Sequence, residues 1–261
     1  MPLTLDGLPA ESVWTLPVAD TRAPLSTVLL RSNGEGLAID AALAADFPVL
    51  SLQTGGWELQ AGLLAGAFMQ FGAGGELTFD LQTFDGQFGL PVDARSGPWS
   101  ARVQWVHVSA HYGDGIRKSG AAPENLNAYS REYVSLLGSR DLVIPRVVSA
   151  RAYLGAHALI HSLPEAPPLA VQVGGEVFGP WQIAPYLAVD LHLAQEHTWA
   201  PAMSGQLGLA ASAGPRRFRL GLAARTGPDD TGKTAGTPER WIGVLFGFDH
   251  TGRVRTVDDP G

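Results

Sequence analysis

The chain contains no cysteine. That removes disulfides, thiolate catalysis and zinc–thiolate sites, and it suits a protein that crosses an oxidising compartment without mispairing. It also lacks any run of about 18 consecutive apolar residues, so a membrane-spanning helix is excluded although 45% of the residues are hydrophobic. Lysine is scarce: Lys118 and Lys233 are the only two, the net charge is −7, and the arginines are spread one or two to a segment. A phosphate backbone needs a basic stripe, so nucleic acid is not an expected partner. The opening residues, MPLTLDGLPAESVW, offer neither a basic n-region nor an apolar h-region. The expectation is a mature chain whose exported start has been replaced. The 261 residues fit one large domain.

What is present is alternation. From Leu37 the odd positions Leu37, Ile39, Ala41, Leu43, Ala45, Phe47 and Val49 are apolar while Asp40 and Asp46 fall on the other face. From Trp57 the same face carries Leu59, Ala61, Leu63, Ala65, Ala67, Met69 and Phe71 against Glu58, Gln60, Gly62, Gly66 and Gln70. Period two marks strands, and about 15 residues apiece is long for a soluble sheet but suits a tilted membrane barrel. Leu77, Phe79 and Leu81 continue it, with an irregularity expected at Asp85 and Gly86. Val148 to Ile160 and Ile183 to Leu193 repeat it, the latter facing away from Gln182, Tyr186, Asp190, His192 and Glu196. Counting from Leu25 to Trp241 gives about twelve strands, the even number that single-chain bacterial barrels use. The predicted fold is all-β: a closed antiparallel transmembrane β-barrel over residues 23–248. A Pro-rich segment, residues 1–22, precedes it and crosses or plugs the lower opening, and a tail, residues 249–261, follows. A soluble antiparallel sandwich would also alternate, but it would carry more than 16% charge.

Loop lengths give an orientation. The two longest connections, GDGIRKSGAAPENLN and TGPDDTGKTAGTPER, both follow odd-numbered strands of the predicted barrel and share one end. Tight connections such as TGG at Thr54 to Gly56 fall at the other. Such barrels have long external loops and short periplasmic turns. The closing strand WIGVLFGF, with Gly243, Phe246 and Phe248, resembles the terminal strand that barrel-assembly machinery recognises in outer-membrane proteins. That resemblance implies a bacterial outer-membrane location, with outer-membrane lipid and the assembly machinery as partners.

The stretch SARVQWVHVSAHYGD, residues 100–114, carries the chemistry. Its end reads His107, Val108, Ser109, Ala110, His111, Tyr112, Gly113, Asp114, close to H-x-S-S-H-L-G-D. This resembles an uncharacterised family of predicted bacterial envelope proteins, as do ADTRAP from Ala19, YSREYV from Tyr129, RAYLGAHALIH from Arg151, and the strand leading to Glu196 and Trp199. Ala110 departs from the second Ser and Tyr112 from Leu. The resemblance implies a barrel in the envelope and supplies no reaction.

His107, Ser109 and His111 share one face by alternation. If apolar faces coincide across the next hairpin, Ser130 and Glu132 join that face opposite His111 and Ser109. Ser109 is then a candidate nucleophile, His107 or His111 a base, and Glu132 the group that orients the imidazole. The arrangement resembles outer-membrane phospholipase A and lipid A deacylase, barrels with a His-x-Ser pair on the lipid-facing wall, and implies a lipid hydrolase. The competing expectation is a β-bulge near Trp105 and Val106 that turns Val106, Val108 and Ala110 to lipid and the two histidines and Ser109 inward. They would then join a lumen network with Arg102, Arg151, Tyr153, His157, Asp190 and Glu196. His107 and His111 lie about 13 Å apart along a strand, so neither a metal nor any cofactor is expected from this stretch. The lumen residues mix both signs, which favours a narrow, nearly closed interior. Three functions follow: a structural or small-solute barrel, a lipid-facing hydrolase, or a subunit docked to another envelope protein.

Overall fold

The computed structural model describes residues 3–32, 36–74, 78–118, 128–213 and 216–250. Twelve antiparallel strands close into a barrel. They are β2 (Ser26–Ser32), β3 (Leu37–Thr54), β4 (Trp57–Gly74), β5 (Thr78–Ser96), β6 (Trp99–Tyr112), β7 (Tyr129–Ile144), β8 (Val148–Leu163), β9 (Leu169–Phe178), β10 (Ile183–Ala194), β11 (Pro201–Ala213), β12 (Arg216–Pro228) and β13 (Pro238–His250). Each pairs with its sequence neighbour, and β13 returns to β2, with Phe246 opposite Val28. Closure leaves no free edge along most of the wall, which a lipid environment requires of any sheet. An additional strand, β1 (Thr4–Gly7), pairs with β3 at Leu50 to Gln53, below the short β2. The composition of that segment gave no period-two signal, so β1 was not expected.

Alternation divides each strand between two environments. Outward positions form an apolar belt: Leu43, Leu154 and Leu136 are 73%, 67% and 60% exposed, and β10 to β13 add Leu187, Leu207, Leu220 and Val244. Exposed apolar surface on this scale, encircling the wall, belongs against hydrocarbon. The chain is a transmembrane β-barrel. Inward positions are the buried ones, and they are polar: Arg102, Gln60, Asp93, Ser135, Gln206 and Arg219 all fall below 10% exposure. The irregularity expected at Asp85 and Gly86 lies elsewhere. Those residues pair regularly with Ala110 and Ser109, and the shift comes where Gln70 meets Thr83 but Phe71 meets Leu81.

Residues 8–25 pass through the lumen as a plug. Trp14 is 1% exposed, and Val13, Val18 and Ala19 are buried with it. The plug has little regular structure, so its backbone groups need partners from the wall. Gln60 receives Val13 N–H at 2.8 Å and donates to Glu11 O at 2.9 Å. Arg95 donates to Val13 O at 3.2 Å, Arg151 to Thr15 O, Gln206 to Val18 O at 2.6 Å and Ser204 to Ala19 O at 2.5 Å. Val18 N–H donates to Glu176 at 3.2 Å. The long-loop end is capped as well. The connection between β12 and β13 folds over it, with Gly232 N–H donating to Asp85 at 2.8 Å and Tyr112 O–H to Lys233 O at 3.3 Å. Of the two long loops, residues 119–127 lie outside the described residues, as do residues 251–261 of the tail.

Candidate functional site

The register of β6 settles which way its chemistry points. Pairing runs without a break from Ser96↔Trp99 to Thr83↔Tyr112 on one side and from Trp99↔Arg140 to Ala110↔Tyr129 on the other. The expected bulge near Trp105 and Val106 is absent. Arg102, Val106, Val108 and Ala110 therefore face inward and are buried, while Trp99 and Val103 face outward and are exposed. His107, Ser109 and His111 share the parity of Val103 and lie on the outer wall, toward the long-loop end. The inward alternative for them is corrected by this register. Its physical reason is an apolar pocket inside the barrel: Leu64 of β4 packs against Val106 and Val108, with Tyr129 and Tyr133 beside them.

Paired residues in an antiparallel sheet share a face, so the rungs through β6 define the surroundings. Ser109 lies between Gly86 on β5 and Ser130 on β7. His107 lies between Phe88 and Glu132, and Glu132 is in turn opposite His161 on β8. The expected pairing of Ser130 with His111 and Glu132 with Ser109 is displaced by two residues, which preserves the face but moves Glu132 beside His107. His107 Nδ1 stands 3.4 Å from Glu132 Oε1, with the two side chains 37% and 33% exposed. That leaves Nε2 available on the other side of the ring. Two residues along a strand are about 6.6 Å apart, a gap that an imidazole can bridge to a serine hydroxyl. Trp105 stacks with the His107 ring, centroids 6.5 Å apart, and Phe88 meets Trp105 edge-on at 6.3 Å. This aromatic flank restricts the imidazole on its lower side. His111 is exposed one rung above Ser109, opposite Phe84. His161 is not among the candidates the sequence offers, and Ser130 enters there only as a neighbour on the shared face; the signal for both positions is cross-strand register, which no local pattern carries.

The residues placed in the lumen network by sequence lie as follows. Arg102 is bound by Asp93 and Asp46, Arg151 pairs with Glu176 at 2.8 Å, and Tyr153 donates to Asp190 at 2.9 Å. Gly174 lies directly against the Tyr153 ring, where a Cβ would come within 2.2 Å of its hydroxyl. His157 Nδ1 is 2.8 Å from Ser135 Oγ, and its ring meets that of His192 edge-on at 5.4 Å. Glu196 is in a 3-10 turn, Gln195–His197, that follows β10, where it pairs with Arg131 at 3.0 Å. A cavity of about 200 Å³ remains between the plug and the upper wall, bordered by Asp20, Arg131, His157, Gln172, His192 and Asp230. Among the described residues no three His, Asp or Glu are grouped as metal ligands.

A family model described as a protein of unknown function, DUF1207, matches residues 19–218, from the plug through the start of β12. The chain belongs to the DUF1207 family. The match takes in β6 with His107, Ser109 and His111, and it takes in Glu132 and His161. No curated protein matches this DUF1207 chain. Among solved structures, LpxR from Salmonella typhimurium is similar over 86% of this chain and 99% of its own, with 10% identity and a TM-score of 0.41. An anion-selective porin from Comamonas acidovorans is similar over 95% and 98%, with 10% identity and a TM-score of 0.39.

Proposed function

We propose that this chain is a bacterial outer-membrane barrel with a sealed lumen whose outer wall hydrolyses an ester bond of membrane lipid. The observation that carries the reading is the His107–Glu132 contact of 3.4 Å on the lipid-facing side, with Ser109 next on the same face. Three groups with complementary roles occupy adjacent positions on one outer face, Ser109 and His107 on β6 and Glu132 opposite His107 on β7. Glu132 holds Nδ1 of His107, so that Nε2 is the basic nitrogen. His107 takes the proton of Ser109 Oγ as the oxygen bonds to the ester carbonyl carbon. The same proton passes to the leaving alkoxide when the ester C–O bond breaks. Water, activated by His107 in the same way, then releases the fatty acid from Ser109. Ser130, directly across from Ser109, is placed to donate to the carbonyl oxygen as charge develops there.

The lumen supports the same division of labour. Its mixed-charge interior is filled by residues 8–25 and capped by the β12–β13 connection, an arrangement suited to a barrel that does not conduct. Solute traffic then has no through-path, and the wall becomes the working surface. Docking to another envelope protein has no comparable feature on the described surface. The test is release of fatty acid from phospholipid–detergent mixed micelles by the purified chain. Ser109→Ala should abolish release while retaining the compact electrophoretic mobility of a folded barrel. Release surviving that change overturns the proposal.

A further inference from the structure

The two sides of Ser109 differ. Toward β7 and β8 the outward positions include Ser130, Glu132 and His161, all able to hydrogen-bond, with Leu163 as the one apolar residue on the Ser109 rung, across from Ser130. Toward β5 and β4 the rung continues through Gly86 to Ala67 and ends at Leu43 on β3. The rung above carries Phe84 and Met69, and the rung below carries Phe88 and Ala65. Gly86 and Ala67 thus floor a shallow apolar trough, bordered on β5 by two phenylalanines and opening at the Ser109 hydroxyl.

The glycine is not explained by folding. A Cβ at position 86 would meet Ser109 Oγ at 3.4 Å, Phe84 Cε1 at 3.8 Å and Ser109 O at 4.0 Å, which are ordinary contact distances. The strand would therefore accept alanine, and a glycine in a strand interior weakens it. What the missing side chain leaves is a low floor beside the hydroxyl, with Phe84 Cε1 at its edge.

We infer that the substrate's acyl chain lies across the wall over Gly86 and Ala67, between Phe84 and Phe88, while its polar leaving group lies over Ser130, Glu132 and His161. This rests on the hydrolase reading and adds to it the direction in which the lipid is held. The carbonyl carbon then sits over Ser109 with hydrocarbon on one side and hydrogen-bonding groups on the other. Adjacent strands are about 4.8 Å apart, so Gly86 meets the chain near the carbonyl and Ala67 meets it about 9.6 Å away.

The test uses the purified full chain with p-nitrophenyl butyrate and p-nitrophenyl palmitate in mixed micelles. Gly86→Leu fills the trough at the hydroxyl and should lower the palmitate-to-butyrate ratio of kcat/KM by about tenfold or more, the scale on which a pocket discriminates apolar bulk. Ala67→Leu, farther out and on the lipid face, should lower that ratio in the same direction by less. A ratio unchanged in both variants, or both esters losing activity in equal proportion, overturns the trough. If Gly86→Leu fails to assemble, Ala67→Leu decides alone. Wild-type protein inactive on both esters, or Ser109→Ala active on them, overturns the hydrolase reading and the trough with it, and that outcome is distinct from an unchanged ratio.

Discussion

Arg102 grips Asp93 through two parallel hydrogen bonds, Nε to Oδ1 and Nη2 to Oδ2, both 2.7 Å. Nη2 also meets Asp46 at 2.5 Å, and the guanidinium carbon lies 5.7 Å from the ring centre of Trp14 in the plug. One buried cation therefore ties β6 to β5 and β3 and gives the plug a flat surface to rest on. Removing it strands two carboxylates inside the barrel. Arg102→Ala should cost about 3 to 5 kcal/mol, the penalty for breaking a buried pair from one side. Urea unfolding in lipid vesicles measures it. Replacing all three groups, Arg102→Leu with Asp93→Asn and Asp46→Asn, should recover much of the loss, because no charge is then left buried alone.

The plug makes a second prediction. Trp14 stands between Arg102 and Arg151, at 5.7 and 5.8 Å from their guanidinium carbons, and is fully enclosed. Planar-bilayer recordings of the intact chain should show no large open steps. Deleting residues 9–22 should produce them, since it removes the backbone that lumen arginines and glutamines now bind. Trp14→Ala should leave the lumen closed but lower stability by about 3 to 5 kcal/mol, the usual cost of emptying a large aromatic site.

Acid should act on the top of the plug in two stages. Asp230 accepts from the Thr21 hydroxyl and lies 3.2 Å from Arg225. Burial alone would raise its pKa, but Arg225, Arg22 and the Thr21 hydroxyl outweigh burial and hold it below the usual carboxylate range. Burial and the neighbouring Asp230 charge push Asp229 the other way, upward. Falling pH thus protonates Asp229 first, which favours the folded form. The stability from Asp230 persists at all pH above its unfolded value and is lost only as pH falls through its depressed one. The lumen should stay sealed at about pH 4, near the ordinary aspartate value. Asp230→Asn should loosen the plug at neutral pH, read as protease cleavage within residues 8–25. Opening of the wild type well above pH 4 would contradict the assignment.

Much of this architecture was legible because hydrocarbon and a polar lumen impose a two-residue period. Leu37 to Phe47 and Trp57 to Phe71 could be oriented from sequence for that reason, whereas β3 shifts register between Pro48 and Leu50, so that Leu50 rather than Val49 continues the outward face. The face of β6 was harder, since Val103 and Val106 have opposite parity and both are apolar. The choice between them is made by Leu64, Tyr129 and Tyr133, which reach Val106 and Val108 only once the barrel closes. The partner of His107 was misplaced by two residues because the long connection between β6 and β7 does not fix register as a tight turn does. The plug's course up the lumen rests on contacts such as Val18 with Glu176, 158 residues apart. No local pattern encodes those.

Two histidines flank Ser109, and the structure separates their roles. His107 has Glu132 at 3.4 Å and a stacked Trp105. His111, opposite Phe84 on the exposed rung above, has no carboxylate placed beside it by the β6–β7 pairing, which ends at Ala110 and Tyr129. Esterase kinetics in mixed micelles should divide accordingly. His107→Ala should lower kcat by about 10²-fold or more, the range that a general base supplies, with little change in KM. Glu132→Gln should lower kcat in the same direction, because the amide can present its NH₂ to Nδ1 and favour the tautomer that leaves Nε2 protonated. His111→Ala should stay within a few-fold of wild type. If instead His111→Ala loses activity and His107→Ala keeps it, the base has been assigned to the wrong ring, and Glu132 orients nothing that the reaction uses.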